Sequence, residues 1–284
     1  MGVVRSRVVF VLLAGAGAVA SVASCAQSGR DGFDPSAPVD GGAFANNEAA
    51  PTPTPGVYGE VFGHSESALF RVDTRTREVA EIGVFQGCTY IADIALDESS
   101  TIYGSTGTEL FFIETNTARC TRIATGQFPN SLSFVPAGTV DATVEALVGF
   151  QGGDYVRIDP KSGAVTKLGE IGDGLQSSGD LVSVKGGKTF VTVKGKDCAD
   201  CLAEIDPADG KLIKNWGSIG KADVFGLAFW GGEVFAFTNG GELLALTLDT
   251  GKLEVTPLPI ANAPSGLKFW GAGSTTSAPV GPVR

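Results

Sequence analysis

Leu69-Phe70-Arg71-Val72-Asp73 returns as Leu110-Phe111-Phe112-Ile113-Glu114, then as Tyr155-Val156-Arg157-Ile158-Asp159. It returns again as Leu202-Ala203-Glu204-Ile205-Asp206, and in degraded form as Leu244-Ala245-Leu246-Thr247. The last residues of the copies are 41, 45, 47 and 41 positions apart. A near-constant period of this size marks stacked supersecondary units, and at about 40–50 residues it points to propeller blades. Five copies predict an all-β, five-bladed β-propeller.

Each repeat resolves into four strands. In the third, Leu132–Val135, Val144–Phe150, Asp154–Asp159 and Ala164–Leu168 alternate or run apolar as strands do. Asp159-Pro160-Lys161-Ser162-Gly163 and Asp206-Pro207-Ala208-Asp209-Gly210 join the third strand to the fourth. In such a turn Asp accepts from the backbone ahead of it, Pro presets φ, and Gly takes the left-handed position. The repeated acid therefore reads as architecture.

The two ends complete each other. The first repeat starts at Val57-Tyr58-Gly59-Glu60, which aligns with a second strand, and no inner strand precedes it. Gly266-Leu267-Lys268-Phe269-Trp270 aligns with the inner strand Gly226-Leu227-Ala228-Phe229-Trp230. Residues 265–270 are thus expected to supply the missing strand and close the ring, which removes exposed sheet edges.

The chain before the repeats reads as address and tether. Arg5 and Arg7 precede an apolar run, Val8 to Val19, too short to span a bilayer comfortably and of signal-peptide character. It ends in Val22-Ala23-Ser24-Cys25, which resembles the lipobox of bacterial lipoproteins. That resemblance implies a lipid-modified Cys25 and an exported, lipid-anchored protein of the cell envelope. The absence of Asp after Cys25 points to the outer membrane, on its periplasmic or surface side. The expected organisation is a signal peptide at 1–24, a disordered tether at 25–56, the propeller at 57–270 and a disordered tail at 271–284.

The repeat pattern of Leu-Phe-x-Val-Asp, Asp-Pro-x-x-Gly and Gly-Leu-Ala-Phe-Trp resembles quinoprotein-like and NHL-type propeller repeats. With Pro129-Asn130-Ser131-Leu132-Ser133-Phe134-Val135-Pro136 and Ser177-Ser178-Gly179-Asp180, the whole chain is similar to uncharacterised bacterial propeller lipoproteins. The resemblance implies fold and location, and no particular activity.

The formal net charge of −10 opposes binding to phosphate backbones, so nucleic acid is not an expected partner. Membrane contact through the anchor, and an envelope protein or glycan partner, are expected instead. No Walker loop, Rossmann fingerprint or EF-hand loop occurs, so no cofactor is expected. The single histidine, His64, falls in Gly63-His64-Ser65-Glu66-Ser67 and reads as a solvated hairpin-tip residue. One histidine makes a His-based triad or a multi-His metal site improbable.

Beyond Cys25, the chain holds Cys88, Cys120, Cys198 and Cys201. An even count in an exported chain suggests two disulfides with three possible pairings. The preferred pairing is Cys198–Cys201 as a local clip and Cys88–Cys120 across a longer loop. A redox or metal role for the Cys198-Ala199-Asp200-Cys201 motif lacks a helix N-terminus or a second ligand pair.

Asp93, Ser131 and Asp180 occupy one inner-strand position, with Gly226 and Gly266 as the remaining equivalents. They are the candidates for a ligand or cation at the channel mouth. The expected role is a binding or scaffolding module and not an enzyme. The alternative is a carbohydrate-active, glycosidase-like enzyme using the Asp93 and Asp180 carboxyls. Phe229-Trp230 and Phe269-Trp270 are expected to pack between blades rather than form a sugar platform.

Overall fold

The computed structural model describes residues 60–248 and 251–283. The expected signal peptide, Cys25 and the tether lie outside them. Every described sheet is antiparallel, four-stranded and built from sequence-adjacent strands, except where the ring closes.

Blade one starts with β1 (Val61–His64), β2 (Ala68–Val72) and β3 (Val79–Val84). Blade two is β4 (Asp93–Leu96), β5 (Ile102–Ser105), β6 (Glu109–Ile113) and β7 (Cys120–Thr125). Blade three is β8 (Leu132–Val135), β9 (Ala146–Gln151), β10 (Asp154–Ile158) and β11 (Val165–Glu170). Blade four is β12 (Gln176–Ser183), β13 (Thr189–Gly195), β14 (Cys198–Ile205) and β15 (Leu212–Ser218). Blade five is β16 (Val224–Trp230), β17 (Glu233–Thr238), β18 (Leu243–Thr247) and β19 (Glu254–Leu258). β20 (Gly271–Ser274) then pairs with β1, His64 opposite Gly271 and Val61 opposite Ser274. The inner strands touch in the order β4, β8, β12, β16, β20 and back to β4. The fold is a five-bladed β-propeller closed by its C-terminal strand.

The closing strand lies beyond the stretch expected for it. Residues 265–270 precede it, and the strand itself falls in 271–274, within the segment read as a tail. The reason is steric. Phe269 packs its ring into the apolar cluster between blades, and the inner position falls to the small residues Gly271–Ser274. Phe269 is fully buried, edge-on to Phe237 at 5.0 Å and to Phe70 at 6.3 Å between centroids. Gly-Ala-Gly-Ser, in contrast, carries little side chain, as the crowded axis demands. Thr275, Thr276 and Ala278 beyond it are also buried.

Burial follows position in the blade. Inner β4, β8 and β20 are buried at every residue, whereas outer β11 is exposed or half-exposed throughout. Inner strands face neighbouring blades on both sides, so they read as continuous apolar or small runs rather than alternating ones. Between blades lie the apolar clusters, for example Phe62, Ile91, Ile94 and Phe111 at the first junction.

The repeated acids sit in turns as expected. Asp73 Oδ1 accepts from the N–H groups of Arg75 and Thr76, and Asp159 Oδ1 from Lys161 and Ser162. The left-handed residue four positions on is Gly163, Gly210 or Gly251 in three blades. It is Arg77 and Ala118 in the first two, which carry the strain without the glycine.

Both expected disulfides form, Cys88–Cys120 and Cys198–Cys201. The first follows from the interblade linker running beside the outer strand of blade two. Cys120 N–H donates to Gln86 O at 2.8 Å, and Gln86 N–H to Ala118 O at 3.1 Å. The second lies within β14, at its start, where the pairing with β13 shifts register between Val193 and Gly195.

Candidate functional site

The first strand starts meet around the channel axis. By register, the position of Asp93 is filled in the other blades by Ser131, Asp180, Gly226 and Gly271, not Gly266. Asp93 and Asp180 are brought close enough for each to perturb the other, but neither is exposed to solvent. Asp93 Oδ1 accepts from its own neighbour Ile94 N–H at 2.8 Å, and Oδ2 from Leu132 N–H in blade three at 2.7 Å. Asp180 repeats this across the ring. It accepts from Leu181 N–H and from Leu227 N–H of blade five, each at 2.5 Å, and also from Ala272 N–H of the closing strand.

Each acid therefore ties its own blade to the next. Burial pushes both carboxyls well above the ordinary carboxylate range, and the pair titrates as a unit. Ser131 is also fully buried, its Oγ accepting from Phe150 N–H at 3.1 Å within its own blade. All three candidates thus lie beneath the mouth, not at it.

His64 contradicts its reading as a solvated tip. It ends β1, faces Gly271, and is fully buried. Its Nδ1 lies 2.9 Å from Ser65 O, which makes that nitrogen the N–H and leaves Nε2 as a bare lone pair without a partner. Desolvation lowers its pKa from 6.5 to about 4, so the ring is neutral at physiological pH. A Cβ on Gly271 would collide with both His64 Nε2 and Asp93 Oδ1. The hairpin turn itself starts one residue later, at Ser65, whose N–H donates to Ala68 O at 2.9 Å. Pairing with a strand some 200 residues away in sequence is what buries the ring, and no local signal announces it.

Above this plug opens a cavity of about 430 Å³ to which every blade contributes. Trp270 comes from blade one, Tyr90 and Thr106 from blade two, Asn130 from blade three, Ser178 from blade four, and Phe225 and Asn239 from blade five. That size lies within the ordinary range for small-molecule sites, roughly 300–1,000 Å³. Tyr90 is 63 % exposed and sits in the left-handed region at φ 57°. Asn239 Oδ1 is buried and has no hydrogen-bond partner. Trp270 departs from the expected packing role. Phe229, Trp230 and Phe269 are buried, whereas Trp270 is half-exposed at the mouth, held by its N–H donating to His64 O at 2.7 Å. Apart from Trp270, none of these mouth residues belongs to the repeated motifs, so the repeat could not point to them.

A second cavity of about 540 Å³ lies between blades four and five, beside Lys188 and Trp216. Two of its polar side chains are already matched. Lys188 Nζ and Trp216 Nε1 both donate to the Glu204 carboxylate, at 2.9 and 3.1 Å. The mouth, with its free acceptor, is the better ligand site. Among the described residues no cluster of three or more His, Cys, Asp and Glu could hold a metal ion.

No family model matches the chain, and no curated protein matches it. Solved structures do. A chain of a nidogen/laminin complex is 10 % identical, with TM-score 0.49, over 78 % of this chain and 99 % of that one. The PQQ-bound aldose sugar dehydrogenase of Streptomyces coelicolor is 16 % identical, with TM-score 0.41, over 72 % and 79 %. A protein of unknown function from Bacteroides caccae is 14 % identical, with TM-score 0.37, over 75 % and 77 %.

Proposed function

We propose that this chain is a cell-envelope binding or scaffolding module, carried on a lipid anchor at Cys25, that receives its partner at the channel mouth. The observation that carries this reading is the mouth itself. Five blades converge on one open, partly aromatic cavity, over a plug that is fully hydrogen-bonded at its acids. The two disulfides support a compartment that keeps thiols oxidised, in line with export.

The glycosidase-like alternative draws no support from the acid pair. A general acid and a nucleophile must reach a sugar, but both oxygens of each carboxyl already accept from backbone N–H groups, out of solvent.

The test expresses the full chain in a bacterial host fed labelled palmitate. Wild type should fractionate with membranes and carry label, and Cys25→Ser should lose both. Purified mature wild type should also retain an envelope component that Trp270→Ala does not. Label and membrane retention that survive Cys25→Ser would overturn the anchor. Identical retention by Trp270→Ala would overturn the mouth as the binding face.

A further inference from the structure

We propose that the mouth is a binding site for a neutral carbohydrate, whose ring stacks on the aromatic rim and whose hydroxyls are read by the Asn and Ser/Thr side chains. This rests on the mouth being the binding face.

The first argument is the lining. Tyr90, Phe225 and Trp270 supply apolar faces from three blades, while Asn130, Asn239 and Thr106 supply neutral donors and acceptors between them. A sugar ring has that same composition, with C–H faces and a girdle of hydroxyls. Amide and hydroxyl groups can both donate and accept, which suits a ligand whose hydroxyls do the same.

The second argument is Asn239 Oδ1. A buried acceptor left without a donor carries its full desolvation penalty. A ligand hydroxyl donating to it would recover that cost, which makes the group a recognition element rather than a defect.

The third argument is charge. The protein has a net charge of −10, yet none of the cavity's lining residues is charged. The nearby Asp200 carboxylate is occupied, accepting from the Asp223 N–H at 3.0 Å, and the Ser178 hydroxyl in the lining has no partner of its own. The acid pair below is held towards its protonated form by burial. An anionic sugar would find no cation here. A quaternary ammonium ligand would find aromatic faces but no facing carboxylate.

The experiment uses the mature chain with Cys25→Ser, titrated by calorimetry with five probes. These are maltotriose, cellotriose, triacetylchitotriose, trigalacturonate and choline. Binding of at least one neutral trisaccharide is expected, weakened at least tenfold by Trp270→Ala and by Asn239→Leu. Tyr90→Ala, at an exposed position, serves as the variant whose fold is not at risk and should weaken binding as well. Binding only of trigalacturonate or only of choline would overturn the ligand class, as would trisaccharide binding unchanged in all three variants. If no trisaccharide binds while Trp270-dependent retention of an envelope protein persists, the carbohydrate inference falls and the binding-face reading stands. If neither is seen, both fall.

Discussion

Replacing Asp180 by Ala should loosen the ring more than any other single change at the axis. The carboxyl satisfies two buried N–H groups within reach of its oxygens, Leu181 and Leu227, and also the Ala272 N–H. Blades four, five and one are joined at that one side chain. An orphaned buried N–H costs about 1–3 kcal/mol, so two give roughly 2–6 kcal/mol. Two effects reduce this. Removing one member of the buried acid pair relieves the crowding on Asp93, and the vacated space is large enough for a water. The net loss should be about 2–4 kcal/mol. Asp180→Asn keeps one carbonyl acceptor but turns an NH₂ towards the other N–H, and should lose about half as much. Urea unfolding of residues 57–284 at pH 7, followed by tryptophan fluorescence, measures both. An Asp180→Ala protein within 0.5 kcal/mol of wild type (well under the ~2 kcal/mol floor) would refute the idea that this carboxyl latches the blades. So would an Asn variant less stable than the Ala one.

Gly271→Ala should cost about 1–3 kcal/mol, the usual range for overpacking, because its Cβ meets His64 Nε2 and Asp93 Oδ1. Gly281→Ala, with open space around it, should be neutral in the same thermal melts. His64 titrates at about 4 in the fold against 6.5 free, so the folded state binds fewer protons between those values. Its contribution is complete above pH 6.5 and is lost as pH falls towards 4, about 3 kcal/mol in all. His64→Gln should therefore flatten that loss. The acid pair, with raised values, acts oppositely by losing stability as pH rises, and cancels in the difference between the two proteins. If the wild-type minus variant curve is level from pH 7 to pH 4, His64 is not the buried neutral ring described. The Cys88→Ala/Cys120→Ala double variant should lose about 3–4 kcal/mol, from the loop entropy of a sequence separation of 32, read as a shift in urea midpoint.

The blades were legible because they repeat. A Leu-x-x-x-Asp third strand followed by an Asp-Pro-x-x-Gly turn is local chemistry, and local chemistry survives in a linear string. The disulfide pairing was legible for the same reason at Cys198–Cys201. At Cys88–Cys120 it needed the linker to run parallel to β7, which nothing local requires. Phe269-Trp270 repeats Phe229-Trp230 in sequence but not in position, so the closing strand falls a few residues later, in Gly271–Ser274. The axis selects for smallness there, and smallness leaves little trace in composition. His64 failed for a related reason. Its burial depends on pairing with Gly271, and the ring occupies room that exists only because that partner lacks a Cβ.

The glycines at the inner-strand position explain why there are two acids and not five. A Cβ on Gly226 would meet Ala272, and one on Gly271 would meet Asp93 and His64. The bare Gly271 leaves the volume that the Asp93 carboxyl and the His64 ring occupy, and the bare Gly226 lets the closing strand approach. Five acids would crowd five charges on one axis, while five glycines would leave the N–H groups of Leu132, Leu227 and Ala272 without their carboxylate acceptors. Two acids interleaved with two glycines and a serine fill the axis and tie the blades, and the result is a plug. A plugged axis separates the two faces of the ring. On the proposed reading, a molecule engaging the channel from the inner-strand starts would be stopped at Trp270 and Asn239, and the side chains of the mouth would have to complete its recognition.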